Sequence, residues 1–129
     1  MSDLINCINF IKTNYPELVS SIDFYNFISG SPDIDINFVL DNVEQNWNYT
    51  LLVMNPSINI VDIMNNLQLG WNPNFIQYNP TITMAYVLDH PEIEWDYEKL
   101  SQNTNISWTD IQANPDHNWN YLSVVARMP

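Results

Sequence analysis

The sequence predicts an all-α fold, a short α-solenoid of stacked two-helix units. Two observations carry that reading: a 24-residue period along the chain, and a helix-start signal that occurs twice in each period. Trp47, Trp71, Trp95 and Trp119 stand 24 residues apart, and so do Ile34, Ile58, Ile82 and Ile106. Pro32, Pro56 and Pro80 keep the same period, which Thr104 breaks. Self-similarity at this length is the mark of an architecture built by stacking. The units are Ser31–Met54, Asn55–Tyr78, Asn79–Gln102 and Asn103–Pro129.

The first helix of each unit, helix A, is read from its start. The fifth position is Asp35, Asn59, Thr83 or Ser107. These are N-cap residues, whose side-chain oxygens accept from the free N–H groups of the first turn. Asn59 with Asp62, and Ser107 with Asp110, resemble a capping box. The isoleucine before each cap and Val39, Ile63, Val87 or Ile111 four residues after it form a hydrophobic staple. Helix A should end near Asn42, Asn66, His90 or Asn114, with Asn suited to a left-handed C′ conformation.

Helix B repeats the grammar. Asn48, Asn72, Asp96 and Asn120 are the caps, each preceded by tryptophan. Leu52, Ile76, Leu100 and Val124 complete a second staple. Pro73 falls at the first helical position, where its missing N–H costs nothing. Helix B stops before Asn-Pro, because a residue preceding proline avoids the α region. Helices shorter than ~12 residues are marginal in water, so neighbouring units must share a core.

Residues 1–30 read as degenerate capping helices of the same single domain. Leu4, Ile5, Ile8 and Ile11 give a helical stripe over Ser2–Thr13, with Cys7 expected as a buried thiol on it. This helix is expected to cover the open end of the stack. Asp23 is placed to cap a second helix, with Ile22 and Phe27 as its staple. Arg127 falls at the negative end of the last helix.

Composition narrows the function. Fifteen acidic and three basic side chains give a net charge of −12, and the only cations are Lys12, Lys99 and Arg127. Phosphate-backbone binding then has almost nothing to work with, and no direct nucleic-acid contact is expected. A hydrophobic content of 46% excludes a disordered acidic tail. One cysteine excludes a disulfide framework, and two glycines exclude a phosphate-cradling loop. No secretory start and no membrane span are read, so the expected setting is intracellular and reducing. His90 and His117 lie 27 apart without metal-ligand spacing, and no Ser-His-Asp or Cys-His constellation can be assembled. No catalytic residue, metal or cofactor is expected, and the chain is not read as an enzyme.

The segment Asn103-Thr-Asn-Ile-Ser-Trp-Thr-Asp-Ile-Gln-Ala-Asn-Pro-Asp-His-Asn-Trp-Asn-Tyr-Leu-Ser resembles the Asn-Pro-x-Ile-Thr-Trp … Asn-Pro-Asp-x-x-Trp-Asn-Tyr repeats of giant DNA viruses that infect amoebae. The fourth unit matches best, through Trp108, Asn114, Pro115, Asp116 and Trp119. Elsewhere Trp108 is replaced by Ile36, Ile60 and Met84. The resemblance covers about residues 31–124. It implies a viral repeat scaffold in the virion or the infected host's cytoplasm, with no catalytic residue contributed.

A solenoid keeps its stacking positions apolar and binds through the rest. The columns that vary are the A–B loops, 43–46, 67–70, 91–94 and 115–118. Leu67, Leu69 and Ile93 are apolar where water is expected, with Glu92 and Glu94 beside Ile93. Trp108 occupies the first position of the last helix A. These six are the expected partner contacts. The expected partner is a protein, drawn by charge to be basic, with self-association a further possibility. The alternative is an acidic decoy imitating nucleic acid, which requires an even carboxylate stripe that the period does not supply.

Overall fold

The structure, a computed structural model, describes residues 2–21 and 23–128. About half of the chain is helical, and no strand occurs among the described residues. The fold is all-α. Two compact units are present, Met1–Ile58 and Asn59–Pro129. No helix of the described residues is long and apolar enough to cross a membrane.

The first unit holds α1 (Ser2–Asn14), α2 (Pro16–Val19), α3 (Phe24–Ile28), α4 (Ile36–Asp41) and α5 (Tyr49–Met54). The second holds α6 (Ile60–Met64), a 3₁₀ turn (Ile76–Tyr78), α7 (Met84–Asp89), α8 (Tyr97–Leu100), α9 (Trp108–Ala113) and α10 (Tyr121–Ala126). Helix A is thus α4, α6, α7 and α9, and helix B is α5, α8 and α10. The caps act as the sequence indicates. Asp35, Asn59, Thr83 and Ser107 accept from the N–H three residues on, and Asn59–Asp62 and Ser107–Asp110 close as full capping boxes. Asn48, Asp96 and Asn120 do the same for helix B. The isoleucines at 34, 58, 82 and 106 are fully buried, as are their staple partners. In the second unit Ile60, Met84, Leu100, Ile106, Ile111 and Trp119 belong to one core cluster.

Expectations about local structure are corrected at three places along the chain. Helix A does not end in a left-handed residue, since no described residue has positive φ. The asparagine is there for its amide instead: Asn42, Asn66 and Asn114 each donate to the carbonyl four residues back, at 2.8–2.9 Å. Helix B of the second repeat, Asn55–Tyr78, is a 3₁₀ turn rather than an α-helix. Asn72 accepts from Asn74 N at 3.0 Å, two residues on, and the chain tightens into i→i+3 bonds. In that winding i and i+3 side chains eclipse, and Phe75 and Tyr78 lie side by side with ring centroids 6.1 Å apart. At the N-terminus Cys7 is exposed, not buried. Among the described side chains of α1 only Ile8 is buried, so the stripe has a single anchored residue. Asp23 makes no side-chain cap, and Phe27, expected to staple with Ile22, is 86% exposed. Ile22 lies outside the described residues.

Of the four tryptophans that keep the 24-residue period, Trp47, Trp71 and Trp119 are buried and Trp95 is half-buried, and all four have a second task. Each indole N–H donates to the carbonyl five residues back, that of Asn42, Asn66, His90 or Asn114, at 2.8–3.0 Å. These carbonyls belong to the end of helix A, where no intrahelical donor remains.

Within each compact unit successive repeats are joined by polar contacts at the repeat spacing. Asn55 donates to Ser31 O at 2.7 Å and Asn103 to Asn79 O at 2.8 Å. The oxygens of these same amides accept from Ser57 N and Asn105 N. Ser29 and Ser101 hydroxyls accept from the N–H of Asn48 and Asn120, 19 residues on. Gln77 does this for Asp96. Arg127, in the Asn103 column, donates to Ser101 O and Ile106 O at 2.8 and 2.6 Å.

Asn103 is buried with both amide ends used. Asn103→Ala should lower unfolding free energy in urea by roughly 1–3 kcal/mol, with helical circular dichroism unchanged in dilute denaturant. Asn103→Asp should cost more at neutral pH, because a buried carboxylate would face the Asn79 carbonyl. Its folded pKa then lies above the unfolded value. The lost stability returns as the pH falls below roughly 4 and disappears again as the pH rises.

Candidate partner-binding site

The loop after α7 is held by its own backbone and by the indole. Ile93 N donates to His90 O and Trp95 N to Ile93 O, while Trp95 Nε1 closes on His90 O. The loop after α6 is tied similarly, with Leu69 N and Trp71 Nε1 both on Asn66 O. Gln77 joins the α7–α8 loop to the 3₁₀ turn. Its Oε1 accepts from Asp96 N, and its Nε2 donates to Glu94 O at 3.1 Å. These bonds fix two loops whose side chains define a hollow.

That hollow, of about 190 Å³, is lined by Met64, Leu67, Pro73, Ile76, Ile93 and Trp95, with Gln77 and Glu94 at its edge. Leu67 is 55% exposed and Ile93 half-buried. A second hollow, of about 250 Å³, adjoins it through Met64 and Ile93 and adds Val61, Asn65, Tyr86, His90 and Glu92. The structure therefore gathers Leu67, Glu92, Ile93 and Glu94 along one edge. It does not bring Leu69 or Trp108 there. Leu69 is half-buried in its loop, and Trp108 lies on the fourth repeat, its ring edge toward Tyr121 at 6.4 Å.

Sequence reasoning missed Met64, Pro73, Ile76 and Gln77 as walls of the groove. A signal existed. Gln77 is the one long polar side chain in the column of Ser29, Val53 and Ser101. Pro73 replaces tyrosine where Tyr49, Tyr97 and Tyr121 stand.

The charge around the groove is one-sided. A further hollow of about 620 Å³ lies beyond Glu94 and Trp95, with Asp96, Glu98 and Asp116 around Tyr97. His117 is stacked on that tyrosine at 3.9 Å, and burial raises the Tyr97 phenol above its ordinary pKa. The cations of residues 59–129 are Lys99 and Arg127. Lys99 Nζ donates to Asn74 O at 2.9 Å and stands 3.8 Å from Asp96, while Arg127 is taken up by two carbonyls. Glu92 and Glu94 thus face solvent with their field little offset.

His90 departs from the asparagines of its column. It stacks on Tyr86 at 4.1 Å, and its Nδ1 lies 2.9 Å from the Glu92 carboxylate. The backbone N–H of Glu92 and then His90 hold that carboxylate below its ordinary pKa. Burial, and next the Glu92 charge, raise the Tyr86 phenol. The histidines are therefore engaged with aromatic rings and one carboxylate. Among the described residues no group of three or more His, Cys, Asp and Glu side chains is placed to hold a metal ion.

A lowered folded pKa contributes stability that is present above the unfolded value and lost as the pH falls through the folded one. The Glu92 carboxyl resonance should therefore titrate below an ordinary glutamate in carbon-detected NMR. In His90→Asn, which restores the residue found in the other repeats, its midpoint should rise part of the way back. The remaining depression belongs to the backbone N–H. An unchanged midpoint would show that the imidazole contributes nothing.

No protein-family model, no curated protein and no solved structure matches the chain.

Proposed function

We propose that the chain is a non-catalytic α-solenoid scaffold whose A–B loop edge binds a basic protein partner. One observation carries the reading: apolar side chains from two successive loops, Leu67 and Ile93, meet in a groove beside Glu92 and Glu94. A small apolar recess with a charged rim suits an extended or helical segment carrying a leucine, methionine or phenylalanine beside lysine or arginine. The apolar side chain supplies affinity through burial. The carboxylates set orientation and speed encounter.

The solenoid itself is part of the proposal. It is supported by the recurrence of caps, staples, indole bonds and 24-residue asparagine contacts within each compact unit. The similarity of the fourth repeat to those of giant-virus proteins supports a viral origin, and with it action in the virion or the infected cell's cytoplasm.

The test is binding of the 129-residue chain to a synthetic peptide array in which apolar anchors alternate with lysine or arginine. Leu67→Asp and Ile93→Asp should each weaken the selected peptides roughly tenfold or more, with unchanged circular dichroism. Leu69→Asp, outside the groove, should do less. Affinity should fall as salt rises, since exposed carboxylates are screened beyond about 8–10 Å. Equal binding by the wild type and both groove variants would refute the assignment of this edge.

A further inference from the structure

His90 leaves the structural task of its column. Asn42, Asn66 and Asn114 use their amides to bond the carbonyl four residues back. The imidazole turns instead to the Tyr86 ring, stacked at 4.1 Å, and to the Glu92 carboxylate, 2.9 Å from Nδ1. All three side chains line the hollow of about 250 Å³ that adjoins the apolar recess through Met64 and Ile93.

The carboxylate decides the tautomer. An ionised carboxylate only accepts, so in the neutral ring the hydrogen sits on Nδ1 and the lone pair on Nε2. Among the described residues Nε2 has no hydrogen-bond partner. The hollow therefore holds an acceptor nitrogen with a negative charge beside it. The groups that face the imidazole are Tyr86 from α7, Glu92 from the loop, and Val61, Met64 and Asn65 from α6. One phenol and one carboxylate are the titratable ones. Asp62 of α6 is turned back to the Asn59 N–H in its capping box, and Asp89 is exposed and does not line the hollow. Lys99 and Arg127 are taken up elsewhere. A cationic N–H donor complements both features at once. An anion is repelled by Glu92, and an apolar group leaves the lone pair stranded.

We propose that His90, held by Glu92, is the residue that selects the partner's lysine or arginine, and that it does so only while the imidazole is neutral. This rests on the loop-edge reading above and deepens it: the recess at Leu67 and Ile93 takes the apolar anchor, and the adjoining hollow takes the cation. On protonation Nε2 becomes a donor, and the ring charge offsets that of Glu92. An acceptor facing a donor becomes a donor facing a donor. The partner is released as the pH falls through the imidazole range, about 8 to 5.

Two measurements on the full 129-residue chain test this. The first needs no partner. Ring nitrogen shifts of His90 in NMR at about pH 8 should show the hydrogen on Nδ1, and the opposite tautomer overturns the proposal. The second is peptide binding between about pH 8 and pH 5.5, above the range of ordinary carboxylates. The probes carry one leucine and one arginine at varied spacing, with citrulline in place of arginine as the uncharged control and lysine as the second cation. At the upper pH the better of the two cationic series should bind about three- to tenfold tighter than the citrulline series. That advantage should vanish at the lower pH. His90→Asn, which carries the residue of the other repeats, should make the affinity nearly independent of pH, with unchanged circular dichroism. Equal binding of cationic and citrulline peptides overturns the proposal and leaves the apolar anchoring at Leu67 and Ile93 standing. So does a pH dependence that persists in His90→Asn, which would place the titrating group elsewhere. If no peptide of any series binds, the loop-edge reading falls, and this one with it.

Discussion

A helix of five or six residues is nearly all ends. An α-helix leaves its first four N–H groups and last four carbonyls without partners inside it. Helices such as α4, α6, α7 and α9 span five or six residues, so most of their backbone groups fall in those classes. Buried groups of this kind must be satisfied from outside the helix. This constraint explains why so much of the chain is asparagine, serine and tryptophan at fixed positions. Asp, Asn, Thr or Ser closes the start of helix A, the asparagine amide closes its end, and the indole N–H takes a carbonyl beyond the end. No side-chain nitrogen or oxygen among the described buried atoms is left without a partner.

The same constraint orders the packing. A polar plug fixes where a helix begins, and the staple beside it fixes which face is buried. Ile106 and Ile111 sit on either side of the Ser107 cap, and both are buried because the cap sets the entry angle of the chain. Where the third cap residue is Asp, at 62 and 110, it returns a bond to the backbone. Where it is aromatic, at 38 and 86, it turns its ring edge-on to Trp47 or Trp95 at 6.0–6.1 Å. One position therefore serves either the helix start or the tryptophan, and the sequence alternates the two.

The caps and staples were legible in the sequence because their partners lie three to five residues apart and recur in four copies. A contact spanning 24 residues is not legible in the same way. The period places Asn55, Asn79 and Asn103 in one column, but only the stacked geometry shows Asn103 reaching the Asn79 carbonyl. The amide at the end of helix A is not legible for a related reason. A left-handed conformation and a back-bonded side chain are both ordinary uses of asparagine, and φ distinguishes them. The first thirty residues carry the weakest sequence signal. Cys7, Asp23 and Phe27 have no repeat partners of their own kind against which to check a pattern. Yet where the period does reach that segment it holds: Ser29 accepts from Asn48 as Ser101 does from Asn120, and Tyr25 meets Trp47 as Tyr97 meets Trp119.

Half of the groove was visible before the fold, and the missing half has a physical reason. Leu67 and Ile93 stood out because each is apolar in a loop. Met64 and Ile76 look like ordinary members of helical stripes. They become walls because the 3₁₀ turn at Ile76–Tyr78 replaces a full helix and Pro73 replaces tyrosine. In the next pair of repeats the corresponding space is bordered by Tyr97 with His117 stacked upon it. The departure from the repeat, rather than the repeat, therefore makes an apolar recess at one place on the edge. The recurring caps and staples hold the short helices in place, and a break in the sequence period shapes the recess.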